Sequence, residues 1–190
     1  LNIFADKIGT YFFATNASHA LWLRYDVVGV GTISVYSTVN LPNPFSITWA
    51  RVTLNPSTGD VKFYTADGNL EAPAISDYVQ LGATVNPSGG GFSITSSGSS
   101  FTAGSYGGSA AYPFDGDIYR SQVFNEIDGT TPVVDFTAGS YVSGSTLVSS
   151  TSGETWTLVG NASIFQPPVD ESGPFGYLAE KASTNIALQS

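Results

Sequence analysis

The chain is 190 residues long, with a mass of 19.9 kDa, a net charge of −9 and a sequence pI near 4.1. That length suits one domain, and a chain of this mass buries roughly 70 % of its unfolded surface without covalent staples. No cysteine is present, which excludes disulfides and thiolate metal sites; the acidic balance argues against nucleic acid and anionic membrane surfaces, which are held by cationic side chains. Charged residues are only 11 % of the chain against 21 glycines, so hydroxyls and amides are expected to dress the surface, as in an extracellular or particle-bound protein. No 18-residue apolar run appears, so no spanning helix is expected. The sequence opens at Leu1 with neither methionine nor a basic n-region; it carries no recognisable signal peptide and reads as a processed or excised piece of something longer.

Period-two alternation of apolar and polar residues predicts strands at Gly9–Thr15, Ala20–Val28 and Thr32–Thr38, rich in Val, Ile, Tyr, Phe and Thr. Leu41-Pro-Asn-Pro forbids a helix after them. Ser46–Leu54 and Asp60–Thr65 flank Asn55-Pro-Ser-Thr-Gly and read as a hairpin, with Val52, Leu54, Val61 and Phe63 on the apolar parity. A short strand is expected at Val79–Ala83. The glycine- and serine-rich Ser88–Ser109 reads as loops around one buried strand near Ser100–Ala103, with a flexible linker as the alternative.

Next comes a second hairpin, Ile118–Phe124 with Val133–Phe136, turned at Asp128-Gly129 because glycine reaches positive φ without a steric cost. Arg120 and Gln122 share one face of its first strand, and Arg120 is expected to pair with an acidic neighbour or lie on the outer face. Thr146–Ser149 and a strand carrying Trp156 and Leu158 complete the pattern. Residues 1–165 form the expected sandwich, and 166–190 an extended tail or linker that begins rich in proline and glycine. Nowhere do ten residues of helical periodicity occur. Short strands at regular spacing argue an all-β antiparallel sandwich.

Trp49-Ala-Arg-Val-Thr-Leu and Asp60-Val-Lys-Phe-Tyr-Thr, followed by Asp67-Gly68, resemble the central hairpin of concanavalin A-like (laminin-G-like) lectin and glucanase sandwiches. Pro113-Phe-Asp-Gly-Asp-Ile-Tyr-Arg-Ser-Gln-Val, Ile127-Asp-Gly-Thr, Val134-Asp-Phe and Ser152-Gly-Glu-Thr-Trp-Thr-Leu are similar to the version found in virion proteins of tailed bacteriophages. Gly176–Ser190 resembles the linker that recurs between modules of phage tail and fibre proteins. The resemblance runs from about Ser46 to the C-terminus. It implies a jelly roll acting as a non-enzymatic virion component: a tail-fibre, spike or head-decoration module on an extracellular particle. Its implied partners are other virion proteins, further copies of itself or a lattice contact, and host-surface glycans. A secreted bacterial carbohydrate-binding or adhesin domain is the alternative, and a degenerate glycoside hydrolase a third reading. Family members open with strands ahead of the segment matching Leu1–Val28, and not all are found here; the chain is either truncated or short of an outer strand. An unpaired edge is a template for another chain, so a neighbouring chain or a symmetry mate's tail is expected to cover it.

Glycoside hydrolysis needs two carboxylates flanking the bond, and glucanases of this superfamily carry theirs as Glu-x-Asp-x-(x)-Glu on one strand. No such string occurs; the acidic groupings Asp115/Asp117, Glu126/Asp128 and Asp170/Glu171 all fall in turns. His19 is the only histidine and reads as a turn or surface residue, and Gly89-Gly-Gly lacks the lysine and helix of a phosphate loop. Asp115 and Asp117 are the candidate calcium ligands, since rim sites of such lectins use carboxylates in turns. Trp22, Trp49 and Trp156 are expected in the core. Tyr36, Tyr106 and Tyr112, placed near or in loops, are the candidate ligand-binding residues.

Overall fold

A computed structural model describes residues 2–44, 46, 48–107, 114–140, 146–160 and 162–164, together with the backbone of 187–189. The described residues form thirteen strands: β1 Asn2–Lys7, β2 Tyr11–Thr15, β3 Ala20–Val27, β4 Gly31–Asn40, β5 Thr48–Leu54, β6 Val61–Asp67, β7 Val79–Gln80, β8 Phe101–Ala103, β9 Arg120–Val123, β10 Val134–Thr137, β11 Thr146–Val148, β12 Thr155–Val159 and β13 Ala187–Gln189. Two single-turn 3-10 segments, Ile75–Asp77 and Ala138–Ser140, are the only helical pieces among the described residues. Every strand pairing is antiparallel, as the alternation predicts.

One sheet has eight strands in the order β11-β12-β13-β8-β1-β2-β3-β4, and its right half is the meander β1–β4. Turn chemistry sets that meander. Asn16 accepts the Ser18 and Ala20 N–H groups through Oδ1, at 2.9 and 3.0 Å, so the chain reverses between β2 and β3. His19 adopts φ 64° there, and its N–H donates to the Asn16 carbonyl at 3.0 Å, the turn role read from sequence. Within β3, Leu21, Leu23, Tyr25 and Val27 are buried on one face while Trp22, Arg24 and Asp26 take the other.

The second layer comprises two smaller sheets, β5-β6-β7 and β10-β9. Phe13, Leu21, Leu23, Tyr25 and Val35 of the large sheet pack on Val61, Phe63 and Leu81, with Val52 and Leu54 alongside, as the hairpin parity predicts. Farther along, Phe101, Ala103 and Trp156 meet Phe136 and Ile118 in a second cluster. Two layers thus share a core of aromatic and branched side chains, and each fully buried large side chain contributes about 1.5–3 kcal/mol.

The structure adds two strands that alternation did not reveal. In β1 the register to β2 shifts between Ile3 and Ala5, so a bulge interrupts the period-two signal. Ala187–Gln189, placed by sequence within the tail, pair as β13 between β12 and β8, Leu188 lying opposite both Leu158 and Ala103. Tail residues 166–186 lie outside the described residues.

Glu154 joins the layers. Its Oε1 accepts the Asp135 backbone N–H of β10 at 2.7 Å and the Trp156 indole N–H of β12 at 3.0 Å. Asp135 in turn pairs with Arg120 of β9, Nε to Oδ1 at 3.2 Å, the acidic partner expected for that arginine. Burial pushes the Glu154 carboxyl up, but the Ser152 hydroxyl and the Asp135 and Trp156 donors outweigh it and leave it below the ordinary 4.5. Its ionised form therefore favours the fold above pH 4.5, and this contribution fades as pH falls through the lowered pKa. Glu154→Ala, which removes the acceptor shared by both donors, is expected to cost about 2–3 kcal/mol at pH 7. Chemical denaturation of both proteins should show that deficit shrinking below pH 4.5; a deficit independent of pH would assign the loss to packing.

Candidate functional site

The meander exposes a second apolar surface on the side of the large sheet turned away from the core. Antiparallel register puts Trp22 of β3 between Ala14 of β2 and Tyr36 of β4, and Phe12 beside Arg24. Four aromatic rings run across this face. Tyr36 stacks on Trp22 with centroids 5.3 Å apart and planes at 22°; Trp22 meets Phe12 edge-on at 4.6 Å; Phe12 meets Tyr106 edge-on at 6.4 Å. The Arg24 guanidinium lies 5.7 Å from the Phe12 centroid. At the β4 end the row is open, with Tyr36 42 % exposed, whereas Phe12, Ala14 and Ile3 are buried at the other.

The buried end lies beneath the loop that follows β8. Asp6 of β1, itself 1 % exposed, accepts the Gly107 N–H at 2.7 Å through Oδ2, and Thr102 Oγ1 donates to the Ser105 carbonyl at 3.0 Å. Gly107 has φ +59°, a left-handed conformation that favours glycine, and a Cβ there would have to displace the exposed tip of Ile8. A cavity of about 20 Å³ adjoins Asp6, Lys7, Arg24, Asp26 and Tyr106, room for a single water. Burial raises the Asp6 pKa above 3.8, against the lowering by the Gly107 N–H and the Arg24 charge.

Of the tyrosines picked from sequence, Tyr36 and Tyr106 both belong to this row, although Tyr36 stands within β4 and not in a loop. Tyr112 lies outside the described residues. Trp22 corrects the expectation of a core tryptophan: cross-strand register turns it to the outer face, where it is only partly buried. Trp49 is likewise partly buried, its indole donating to the Leu70 carbonyl at 2.8 Å, while Trp156 is in the core as expected.

Asp115 and Asp117 are exposed on either side of Gly116 in the turn before β9, and no three His, Asp or Glu side chains gather as a metal cluster among the described residues. A cleft of about 420 Å³ beside β9 and β10 is lined by Arg120, Asp135, Thr137, Leu147 and Ser149 among others; its one carboxylate is Asp135, already held by Arg120. Sequence reading missed another surface. Arg51 of β5 lies over the rings of Tyr64 and Tyr78, 6.0 and 5.5 Å from their centroids, and donates to the Ile127 carbonyl. The Asn55–Gly59 turn held a clue to it, since that turn fixes the register that sets Arg51 opposite Tyr64.

What the outer row can do chemically is stack a flat apolar face against Tyr36 and Trp22 and hydrogen-bond around it through the exposed Tyr36 and Ser34 hydroxyls of β4. Beside it the Thr32 hydroxyl donates to Asp26 Oδ1 at 2.5 Å. Asp6 holds the loop that covers the closed end, and its raised pKa means that ionised Asp6 weakens the fold as pH climbs from 3.8 through the folded-state value. Asp6→Asn, which retains an acceptor for the Gly107 N–H, is therefore expected to gain in relative melting temperature from pH 3.5 to pH 7. A relative stability that falls over the same range would mean that the Arg24 attraction outweighs burial. Set against known proteins, the chain matches no family model, no curated protein and no solved structure.

Proposed function

We propose that this chain is a non-enzymatic module of a tailed-bacteriophage virion, a concanavalin A-like jelly roll in a tail fibre, spike or head decoration, and that it attaches to host-surface glycans through the outer face of β2–β4. The observation that carries this reading is the half-open stack of Tyr36 on Trp22, flanked by hydroxyls on a rigid sheet. Sugar rings bind such surfaces by laying their apolar C–H faces on aromatic rings, a contact worth about 1 kcal/mol or more per ring. Support for a virion role comes from the residues resembling phage proteins. Arg120, Asp135, Glu154 and Trp156 come from three separate motifs and converge on one network that holds the layers together, the behaviour of a scaffold and not of a reaction centre.

Glycan-array retention and titration test the binding face. Tyr36→Ala should weaken binding roughly tenfold, the loss of about 1.4 kcal/mol. Tyr119→Ala, which removes a tyrosine of equal 42 % exposure outside the row, should leave it unchanged. Equal loss in both variants, or no retention by the parent chain, would overturn the glycan assignment. Purified particles should carry the chain in fixed stoichiometry; a chain found only free in bacterial culture fluid would favour the secreted adhesin instead. Release of reducing sugar that vanishes on replacing a carboxylate would replace both with a hydrolase.

A further inference from the structure

β4 ends the eight-stranded sheet, and its far side has no strand partner among the described residues. It is also the longest strand, ten residues without a proline or an acidic or basic side chain. Lysines, prolines and bulges are the usual guards of an exposed edge; β4 has an irregularity in its register to β3 only beyond Tyr36, so Gly31–Tyr36 is the regular, unguarded stretch and a template for another strand. Near one end Thr38 Oγ1 accepts the Ala83 N–H at 2.7 Å. Among the described residues no strand pairs with the outer side of Thr32–Tyr36.

We propose that two copies of this chain pair antiparallel through β4, about a twofold axis at Val35, to make one continuous sheet. Alternation restricts the register. Ile33 and Val35 face the core layer, while Ser34 and Tyr36 face outward; past them Ser37 Oγ accepts the Leu21 N–H of β3 at 3.0 Å, where the register shifts. A twofold axis through a residue pairs like parity with like, whereas an axis between residues would set the core face of one copy against the solvent face of the other. Centring on Val35 sets each exposed Tyr36 ring across from the small Ser34 of the second copy, so the larger side chain meets the smaller.

Charge selects the occupant. Each copy carries −9 overall, yet this edge is neutral, and the ionisable side chains one strand in, Arg24 opposite Ser34 and Asp26 opposite Thr32, are of opposite sign. Asp26 is held by Thr32 Oγ1 at 2.5 Å. The seam is thus a place where two strongly acidic molecules meet without like charges opposed, and it brings the aromatic row of one copy up to that of the other. This pairing stands independently of the glycan reading, because oligomeric state is measured without sugar.

Sedimentation velocity of the full chain should show a concentration-dependent dimer. Thr32→Lys combined with Ser34→Lys adds charge to two exposed positions that leave the core alone; with an unchanged near-ultraviolet spectrum, it should raise the dimer dissociation constant roughly tenfold or more. The chain has no cysteine of its own, so register is tested by oxidising a mixture of Ser34→Cys and Tyr36→Cys chains, which should yield a cross-linked heterodimer more readily than either alone. A chain monomeric up to about 100 μM, or a dimer indifferent to the added lysines, would overturn the seam. Cross-linking fastest with Ser34→Cys alone would overturn its centre at Val35.

Discussion

A single carboxylate between two layers fixes how they sit. Apolar packing drives the layers together but has no direction, and a sheet can slide on another with little change in buried area. Glu154 has a definite geometry: one oxygen takes a backbone N–H from β10 and the indole N–H from β12. Trp156 fills the space between Phe101 and Phe136, its ring 5.7 and 5.1 Å from theirs. The direction of a hydrogen bond and the volume of an indole thus specify one alignment among the many that packing alone would accept. Arg120 extends the constraint to β9 by holding Asp135 from across the small sheet.

With the core face committed in this way, the other face of the meander is available for a different use. Its closed end is packed and carries a buried carboxylate, whose loss of hydration is costly; the hydrogen bond it accepts anchors the loop over Phe12. Its open end keeps an aromatic pair at the surface. Rigidity and exposure therefore occur a few ångströms apart on the same strands, and a ligand stacking on Tyr36 would meet rings already held in place by their neighbours.

Hairpins were the most legible part of the chain, because alternation and turn residues agreed for β2 to β4 and for β5 with β6; β9 pairs with β10 as alternation predicts, although Gly129 between them does not take the positive φ expected of it. Where one of those signals failed, so did the reading. The bulge in β1 shifted parity at Phe4, and three residues near position 188 are too few for any periodicity. Side-chain direction was harder. Trp22 alternates with Leu21 and Leu23, so sequence requires it to face away from them, but which parity meets the second layer is a tertiary fact. Arg120 found its acid because the two lie on neighbouring strands of one hairpin. Glu154 was not legible as a partner, because its link to Asp135 crosses from the β12 region to the other layer and no local pattern announces it.

The order of strands in the large sheet carries a consequence for synthesis. β1 pairs at once with β2, and the meander can close on itself while later segments are still being made. Its other neighbour, β8, is about a hundred residues away, and the join between β8 and β12 waits for Ala187–Gln189. A ribosome delivering this stretch would therefore hold half a finished sheet with a bare left margin until Ala187–Gln189 emerge.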